Sequence, residues 1–306
     1  MNIYVDTSIL KDYHIEHLKQ AFPDQHFITD DDQRSSASIA LLMPGFAKAS
    51  FLDAMPQLEF VQLLTAGYDT VDLSYFKKRH IRIAYAKDVF SIQIAEDVFA
   101  KILHLNRHLG LYHDQQKLAQ WKVIPVKHDI HGSTVGFIGA GSIAKEIAMR
   151  MKAFGAYTMG YRRSKHHDPA FDEMVFDQMG FDGLLKKSDI VIISIPLTQE
   201  TYHLMNLTNL KKMKRHAILI NVARGDIIDQ HALITALKEG VIRGAALDVT
   251  SKEPLPADDP LWKAPHLLIT PHQASSSPYL HDRLLMKVIE TLDLVLRNHV
   301  IPNLIE

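Results

Sequence analysis

Two short runs, Ile190–Ser194 (IVIIS) and Ala217–Asn221 (AILIN), are almost wholly apolar. Their length and branched side chains point to strands covered on both faces. They belong to a longer series. Further strand candidates are Asn2–Val5, Ile39–Met43, Phe60–Leu64, Ile81–Ala84, Thr134–Ile138, Tyr157–Tyr161, Gly244–Asp248 and Leu267–Thr270, and helical patterns fill most of the gaps. Such alternation predicts parallel α/β sheets with helices on both faces. At 306 residues the chain has room for two domains, taking roughly 150 residues for each.

Two amphipathic stripes divide the pattern. One is expected from about Ile92 to Gln120, with Ile94, Val98, Ile102, Leu105 and Leu109 spaced at three and four. The other is expected from about Pro278 to Asn298, with Leu280, Leu284, Leu285, Val288, Leu292 and Val295 on one face and Ser275, Ser276 and Ser277 as N-cap candidates. Both stripes read as core. They bracket a central block, so the expected division is residues 1–99 plus 275–306 as one domain and 100–274 as the other.

The central block opens on Thr134-Val-Gly-Phe-Ile-Gly-Ala-Gly-Ser-Ile-Ala144. A strand leads into Gly139-x-Gly141-x-x-Ala144 and a helical pattern follows. This is a dinucleotide fingerprint: Gly139 permits the tight turn, Gly141 lets backbone amides approach a pyrophosphate, and Ala144 lets helix and strand pack closely. The helix start then offers free N–H groups and the positive end of its dipole to the phosphates. The next strand ends in Arg162-Arg163-Ser164-Lys165, with no acid before Asp168. A site for NAD usually holds the ribose 2′-hydroxyl with Asp or Glu near this point. Arginine forks and a serine suit a 2′-phosphate instead. The expectation is NADP(H) preferred and NAD(H) possible, although the same residues would also serve as an ordinary solvated run.

Three other segments end strands of the same block: Asn221-Val-Ala-Arg224, Leu247-Asp248-Val-Thr-Ser-Lys-Glu253 and Thr270-Pro-His272. In open parallel sheets the ligand crevice lies beyond the strands' carboxyl ends, so Arg224, Glu253 and His272 can converge. Hydride addition to a ketone leaves negative charge on oxygen. A protonated imidazole quenches it, general acid help being worth roughly 10²–10⁴-fold. A carboxylate on the other ring nitrogen fixes the tautomer, and an arginine fork grips a substrate carboxylate. Singly, each residue has a plainer role. There are 18 histidines, Glu253 could decorate a turn, and Arg224 could cap its strand with a surface ion pair. It is their joint placement at strand ends that points to catalysis.

The segments GFIGAGSIA, SDIVIISIPLTQETYHLMN, LINVARGDIIDQHAL, ALDVTSKEPLPADDPLW and TPHQAS resemble the D-isomer-specific 2-hydroxyacid dehydrogenase family, most of all its glyoxylate/hydroxypyruvate reductase-like branch. The resemblance runs from about Met43 to the C-terminus. It implies two doubly wound parallel-sheet domains, a Rossmann-type cofactor domain inserted into a flavodoxin-like substrate domain. It implies Arg224 on the substrate carboxylate and carbonyl, His272 as acid/base and Glu253 as its partner. Ser142 and Ile143 would present amides to the pyrophosphate, Pro196 would line the cofactor cleft, Val222 would lie near the nicotinamide, and Asp248 would bond its carboxamide. Ala66 and Gly67 resemble the family's substrate loop, whose backbone N–H groups hold the carboxylate. A strand-to-helix turn at Gly67 fits that segment equally. The family further implies a homodimer formed mainly through the cofactor domains, and the D-isomer as product.

Composition narrows the alternatives. Lys plus Arg total 34 and Asp plus Glu 35, a net −1, which gives no electrostatic reason to expect nucleic acid or an anionic membrane as partner. There is no cysteine, which excludes disulfides and thiolate chemistry and suits a cytoplasmic setting. The start, MNIYVDTSILKDYHIEHLKQ, lacks the basic lead and unbroken apolar core of a signal peptide. No metal site is expected. Two further readings stay open: a nucleotide-sensing, co-repressor-like binding protein on the same fold, and a formate or phosphite dehydrogenase relative. The substrate's side chain is not set by spacing.

Overall fold

The computed structural model describes residues 1–305. In chain order the elements are β1 (Asn2–Val5), α1 (Asp12–Ala21), β2 (His26–Ile28), β3 (Ile39–Leu42), α2 (Ala49–Leu52), β4 (Phe60–Leu63), α3 (Leu73–Arg79), β5 (Arg82–Ala84), α4 (Ser91–Asn106) and α5 (Leu109–Lys117). Then come β6 (Thr134–Ile138), α6 (Ser142–Ala153), β7 (Tyr157–Tyr161), β8 (Glu173–Val175), α7 (Gln178–Lys187), β9 (Ile190–Ile193), α8 (Leu207–Leu210), β10 (Ile218–Asn221), α9 (Gln230–Lys238), β11 (Gly244–Leu247), β12 (Leu267–Ile269) and α10 (Leu280–Leu296). They form two compact units: Met1–Phe90 with the chain from Ser277 onward, and Ser91–Ser276. No helix among the described residues is long and apolar enough to cross a membrane.

The first unit is a parallel sheet in the order β2-β1-β3-β4-β5, the flavodoxin-like arrangement. Alternate residues of each strand enter opposite cores. Ile3, Val5, Ile39 and Leu41 pack with Leu18 of α1 and Leu284, Val288 and Leu292 of α10. Tyr4, Ala40, Leu42, Val61 and Leu63 pack with Phe51, Leu52 and Phe76 on the other face. Burial on both faces is why these strands carry no polar alternation.

The second unit is a seven-stranded parallel sheet in the order β12-β11-β10-β9-β6-β7-β8. Strand order reverses between β6 and β9, which opens a crevice at their carboxyl ends. Phe181, Leu184, Val191, Ile193, Leu219, Leu233 and Leu237 form the core under one face. Both sheets match the expected fold.

Several local expectations are corrected. The stripe from Ile92 to Gln120 is two helices, because His108 takes a left-handed φ of 57° between α4 and α5. Beyond that break the apolar residues are not core: Leu109, Leu111 and Leu118 are exposed. Ser277 does not cap α10 as its N-cap residue. Tyr279 holds that position, and its amide donates to the Ser277 hydroxyl at 3.2 Å. The strands β2 and β8 have only three residues each, too few to show a period. Helix α4 lies whole in the second unit, where Phe99 packs on Phe154 with ring centroids 5.1 Å apart. The expected boundary at 99/100 would have cut it.

Phe181 is 1% exposed in the second unit's core. Phe181→Ala should cost about 3–5 kcal/mol, read as a thermal midpoint lowered by at least about 6 °C; a change under about 2 °C would place Phe181 outside the load this core carries.

Candidate active site

The site residues of the second unit sit on loops that leave the carboxyl ends of adjacent strands. β6 runs into Gly139, whose φ of +100° only glycine adopts without strain, and a Cβ there would lie 2.8 Å from the Ser194 carbonyl oxygen. A Cβ at Gly141 would meet no atom within 4 Å, so the space in front of α6 is open. Gly141 is the N-cap of α6, no side chain caps that end, and the first turn carries no acid. Ala144 is fully buried where helix meets strand. Open space, free amides of Ser142 and Ile143, and the positive end of a helix dipole fit a pyrophosphate.

The end of β7 carries Arg162, half-buried, and Arg163 and Ser164, both exposed. Asp168, the first acid after this strand, is not available to a ribose. It is 7% exposed, pairs with Lys145 of α6 at 2.5 Å, and accepts from the Ala170 amide at 3.1 Å. Lys145 and the Ala170 amide hold its carboxyl below the usual range against the opposing effect of burial. Sequence spacing gave no sign of Glu200, on the loop after β9. The Thr198 hydroxyl holds its carboxyl low, and Arg163 adds to the effect from the neighbouring loop. Pro196 lies exposed on that same loop.

Beyond β10, the buried Asn221 fixes the loop that bears Arg224. Its Nδ2 donates to the Arg224 carbonyl at 2.8 Å, and its Oδ1 accepts from the Ala223 amide at 3.0 Å. Val222 is buried within this loop and Arg224 is partly exposed. The Arg224 guanidinium donates to the Ala223 carbonyl at 2.7 Å. Gly225 then brings the loop against the one after β11: a Cβ there would lie 2.0 Å from the Thr250 carbonyl carbon. So the Arg224 loop and the Glu253 loop are adjacent because residue 225 has no side chain.

Glu253 is held at both oxygens. Oε1 accepts from the Thr250 amide at 3.0 Å, and Oε2 accepts from His272 Nδ1 at 2.8 Å. A carboxylate acceptor requires the proton on Nδ1, which leaves Nε2 as the ring nitrogen not used in this pair. Both side chains reach solvent, 48% and 38% exposed for His272 and Glu253. His272 itself has a left-handed φ of 52°, and its amide donates to the Asp248 carbonyl at 2.7 Å. The Asp248 side chain is buried and accepts from the Thr270 hydroxyl and the Gln273 and Ala274 amides. Arg224, Glu253 and His272 therefore share one end of one sheet. Ala66 and Gly67 belong to the first unit, in a turn after β4 where the Thr65 hydroxyl donates to the Gly67 carbonyl at 2.8 Å. No cluster of metal-ligating side chains occurs among the described residues.

Gly225→Ala must push the two loops apart. It should cost about 1–3 kcal/mol, visible in thermal melting, and unchanged melting would show that the loops do not pack as described.

Comparison with known proteins places these features. Residues 99–274 match the family described as "D-isomer specific 2-hydroxyacid dehydrogenase, NAD binding domain". A glyoxylate reductase of Korarchaeum cryptofilum is 34% identical over 292 residues, covering 94% of this chain and 87% of the relative. Glyoxylate/hydroxypyruvate reductase B of Pectobacterium carotovorum is 33% identical over 76% of this chain and 74% of its own. Among solved structures, a D-isomer specific 2-hydroxyacid dehydrogenase family protein from Aeromonas salmonicida superposes with TM-score 0.86 at 29% identity, covering 100% of this chain and 98% of the other. An acyclic imino acid reductase, Bsp5, in complex with NADPH and D-Arg gives 0.85 at 25% identity, with both chains covered fully. By sequence and fold together, this chain belongs to the D-isomer-specific 2-hydroxyacid dehydrogenase family and is an NAD(P)-dependent oxidoreductase.

Proposed function

We propose that the protein reduces a small 2-keto acid to the D-2-hydroxy acid and prefers NADPH to NADH. The carrying observation is the 2.8 Å His272–Glu253 pair at the strand ends of the unit that holds the glycine fingerprint. The second unit is the cofactor domain and the first, with α10, the substrate domain. Gly139, Gly141, Ser142 and Ile143 receive the pyrophosphate. Arg162, Arg163 and Ser164 receive the 2′-phosphate, and Pro196, Val222 and Asp248 serve the nicotinamide end. When bound, the reduced cofactor supplies a hydride.

The chain's own residues do the rest. Arg224 pairs with the substrate carboxylate and polarises the adjacent carbonyl. His272 gives a proton from Nε2 to the oxygen as charge develops there. Glu253 keeps the other ring nitrogen protonated and offsets the imidazolium charge. Two observations support NADPH: β7 ends in two arginines and a serine, and Asp168, the first acid after that strand, is committed to Lys145. The imino acid reductase that superposes on this chain was solved with NADPH.

The protein works as a homodimer through the second unit. Leu109, Leu111, Leu118, Trp121 and Val123 leave α5 and its following segment with a run of exposed apolar surface, of the kind that marks an interface. Light scattering should give twice 34.7 kDa, and Trp121→Asp should shift the population to monomer; a wild-type monomer would overturn this part.

A spectrophotometric panel of 2-keto acids, with NADPH and NADH side by side and with or without ammonia, tests the activity. Oxidation of NADPH by at least one keto acid without ammonia is expected. Loss of NADPH absorbance only with ammonia, or with none of the panel, would sink the reading. His272→Ala should lower kcat by roughly 10²–10⁴-fold with NADPH affinity nearly kept. Arg162→Ala with Arg163→Ala should weaken NADPH far more than NADH; equal losses would refute the assignment of the two arginines.

A further inference from the structure

Helix α4 buries a lysine. Lys101 is 1% exposed and sits on the same helix face as Ile94, Val98 and Ile102, where an apolar residue would be expected. An ammonium this deep stays charged only with carboxylate partners, and it has two. One is Asp97, a turn earlier on α4, which it both hydrogen-bonds and pairs with. The other is Asp248 Oδ1, 3.6 Å away at the end of β11. Burial pushes the Asp97 carboxyl up, Lys101 draws it down, and Asp248 pushes it up again, so the three groups form one electrostatic unit.

Asp248 is where this cluster meets the catalytic loop. Its Oδ1 accepts from the Thr270 hydroxyl at 2.5 Å and the Gln273 amide at 3.0 Å, and its Oδ2 accepts from the Ala274 amide at 2.9 Å. Its backbone carbonyl accepts from the His272 amide at 2.7 Å. One residue thus ties down the segment on both sides of His272, which needs such restraint because its own φ is left-handed. The clamp needs the carboxylate fixed where two amides and a hydroxyl converge on its oxygens.

We propose that Lys101 is a positioning residue for proton transfer: its buried ammonium holds the Asp248 carboxylate in place, and through it the Thr270–Ala274 segment that presents His272. The proposal rests on His272 as the proton donor. A plain packing role for the lysine stem is the competing account, and methionine, similar in length and uncharged, separates the two.

Two variants are compared with wild type: Lys101→Met, and Lys101→Met with Asp97→Asn. In the first, two carboxylates face each other with no cation between them. The second leaves a single carboxylate, so it removes that repulsion and guards against a variant that fails to fold. Three quantities are measured: deuterium uptake by peptides spanning 270–276 without cofactor, NADPH affinity by fluorescence titration, and kcat and KM with the best 2-keto acid. Both variants are expected to take up deuterium at 270–276 at least about threefold faster. At saturating NADPH their kcat should fall about tenfold or more, as misplaced catalytic groups lose rate, beyond any change in NADPH affinity. Wild-type uptake and kcat in the double variant would overturn the proposal, since the cost would then lie in repulsion alone. A loss confined to NADPH affinity would also overturn it. A wild-type protein inactive on every keto acid would refute the enzymatic reading instead, and the uptake data would still decide whether Lys101 holds the loop.

Discussion

A parallel sheet covered on both faces has one place for polar chemistry, and that constraint organises this protein. The strand interiors are apolar on alternate residues toward either core, as Ile3 and Val5 against Tyr4 show in the first unit. Backbone polar groups are spent on the ladder. Only where strands end do amides, carbonyls and charged side chains become available together. In the second unit the endings of β6, β7, β9, β10, β11 and β12 each carry one part of the candidate site, and strand order rather than chain order decides which parts are neighbours.

Adjacency then needs detailed fitting. The Arg224 and Glu253 loops touch because Gly225 has no Cβ to strike Thr250. The Asn221 side chain closes the first of these loops from within. On the other side, Asp248 fixes the His272 segment through both its side chain and its carbonyl. His272 and Glu253 remain substantially exposed, while the residues that orient them are buried. Reacting groups have to meet solvent and substrate, and the groups that aim them are best kept in a low-dielectric, unmoving setting.

The sequence disclosed what depends on short-range pattern. Runs such as IVIIS needed no partner to be read as strands, and Gly139-x-Gly141-x-x-Ala144 announced a phosphate turn through local backbone demands alone. That Arg224, Glu253 and His272 lie at one end of one sheet could be read because each follows a strand end. What stayed hidden depends on distant atoms. β2 and β8 are three residues long and exist because β1 and β7 offer them an edge. The break at His108 interrupts an unbroken apolar spacing, and only the exposure of Leu109 and Leu111 shows that the stripe has left the core. Asp168 stood in the sequence as the nearest acid to the second cofactor strand, yet its role is decided by Lys145, on a helix that precedes it.

Lys101 marks the same boundary from the other side. Its anomaly was visible in the spacing, a cation among Ile94, Val98 and Ile102, but a lysine in an apolar stripe can also reach solvent along its stem. Burial to 1% removes that option. Once the ammonium cannot leave, charge balance requires carboxylates beside it, and the structure supplies one from its own helix and one from β11. The strand end that leads to His272 and the helix α4 are thereby joined by an interaction that neither segment reveals alone. The restraint on the His272 segment is in this sense tied to the packed core, through an Asp248 carboxylate that also faces the buried charge.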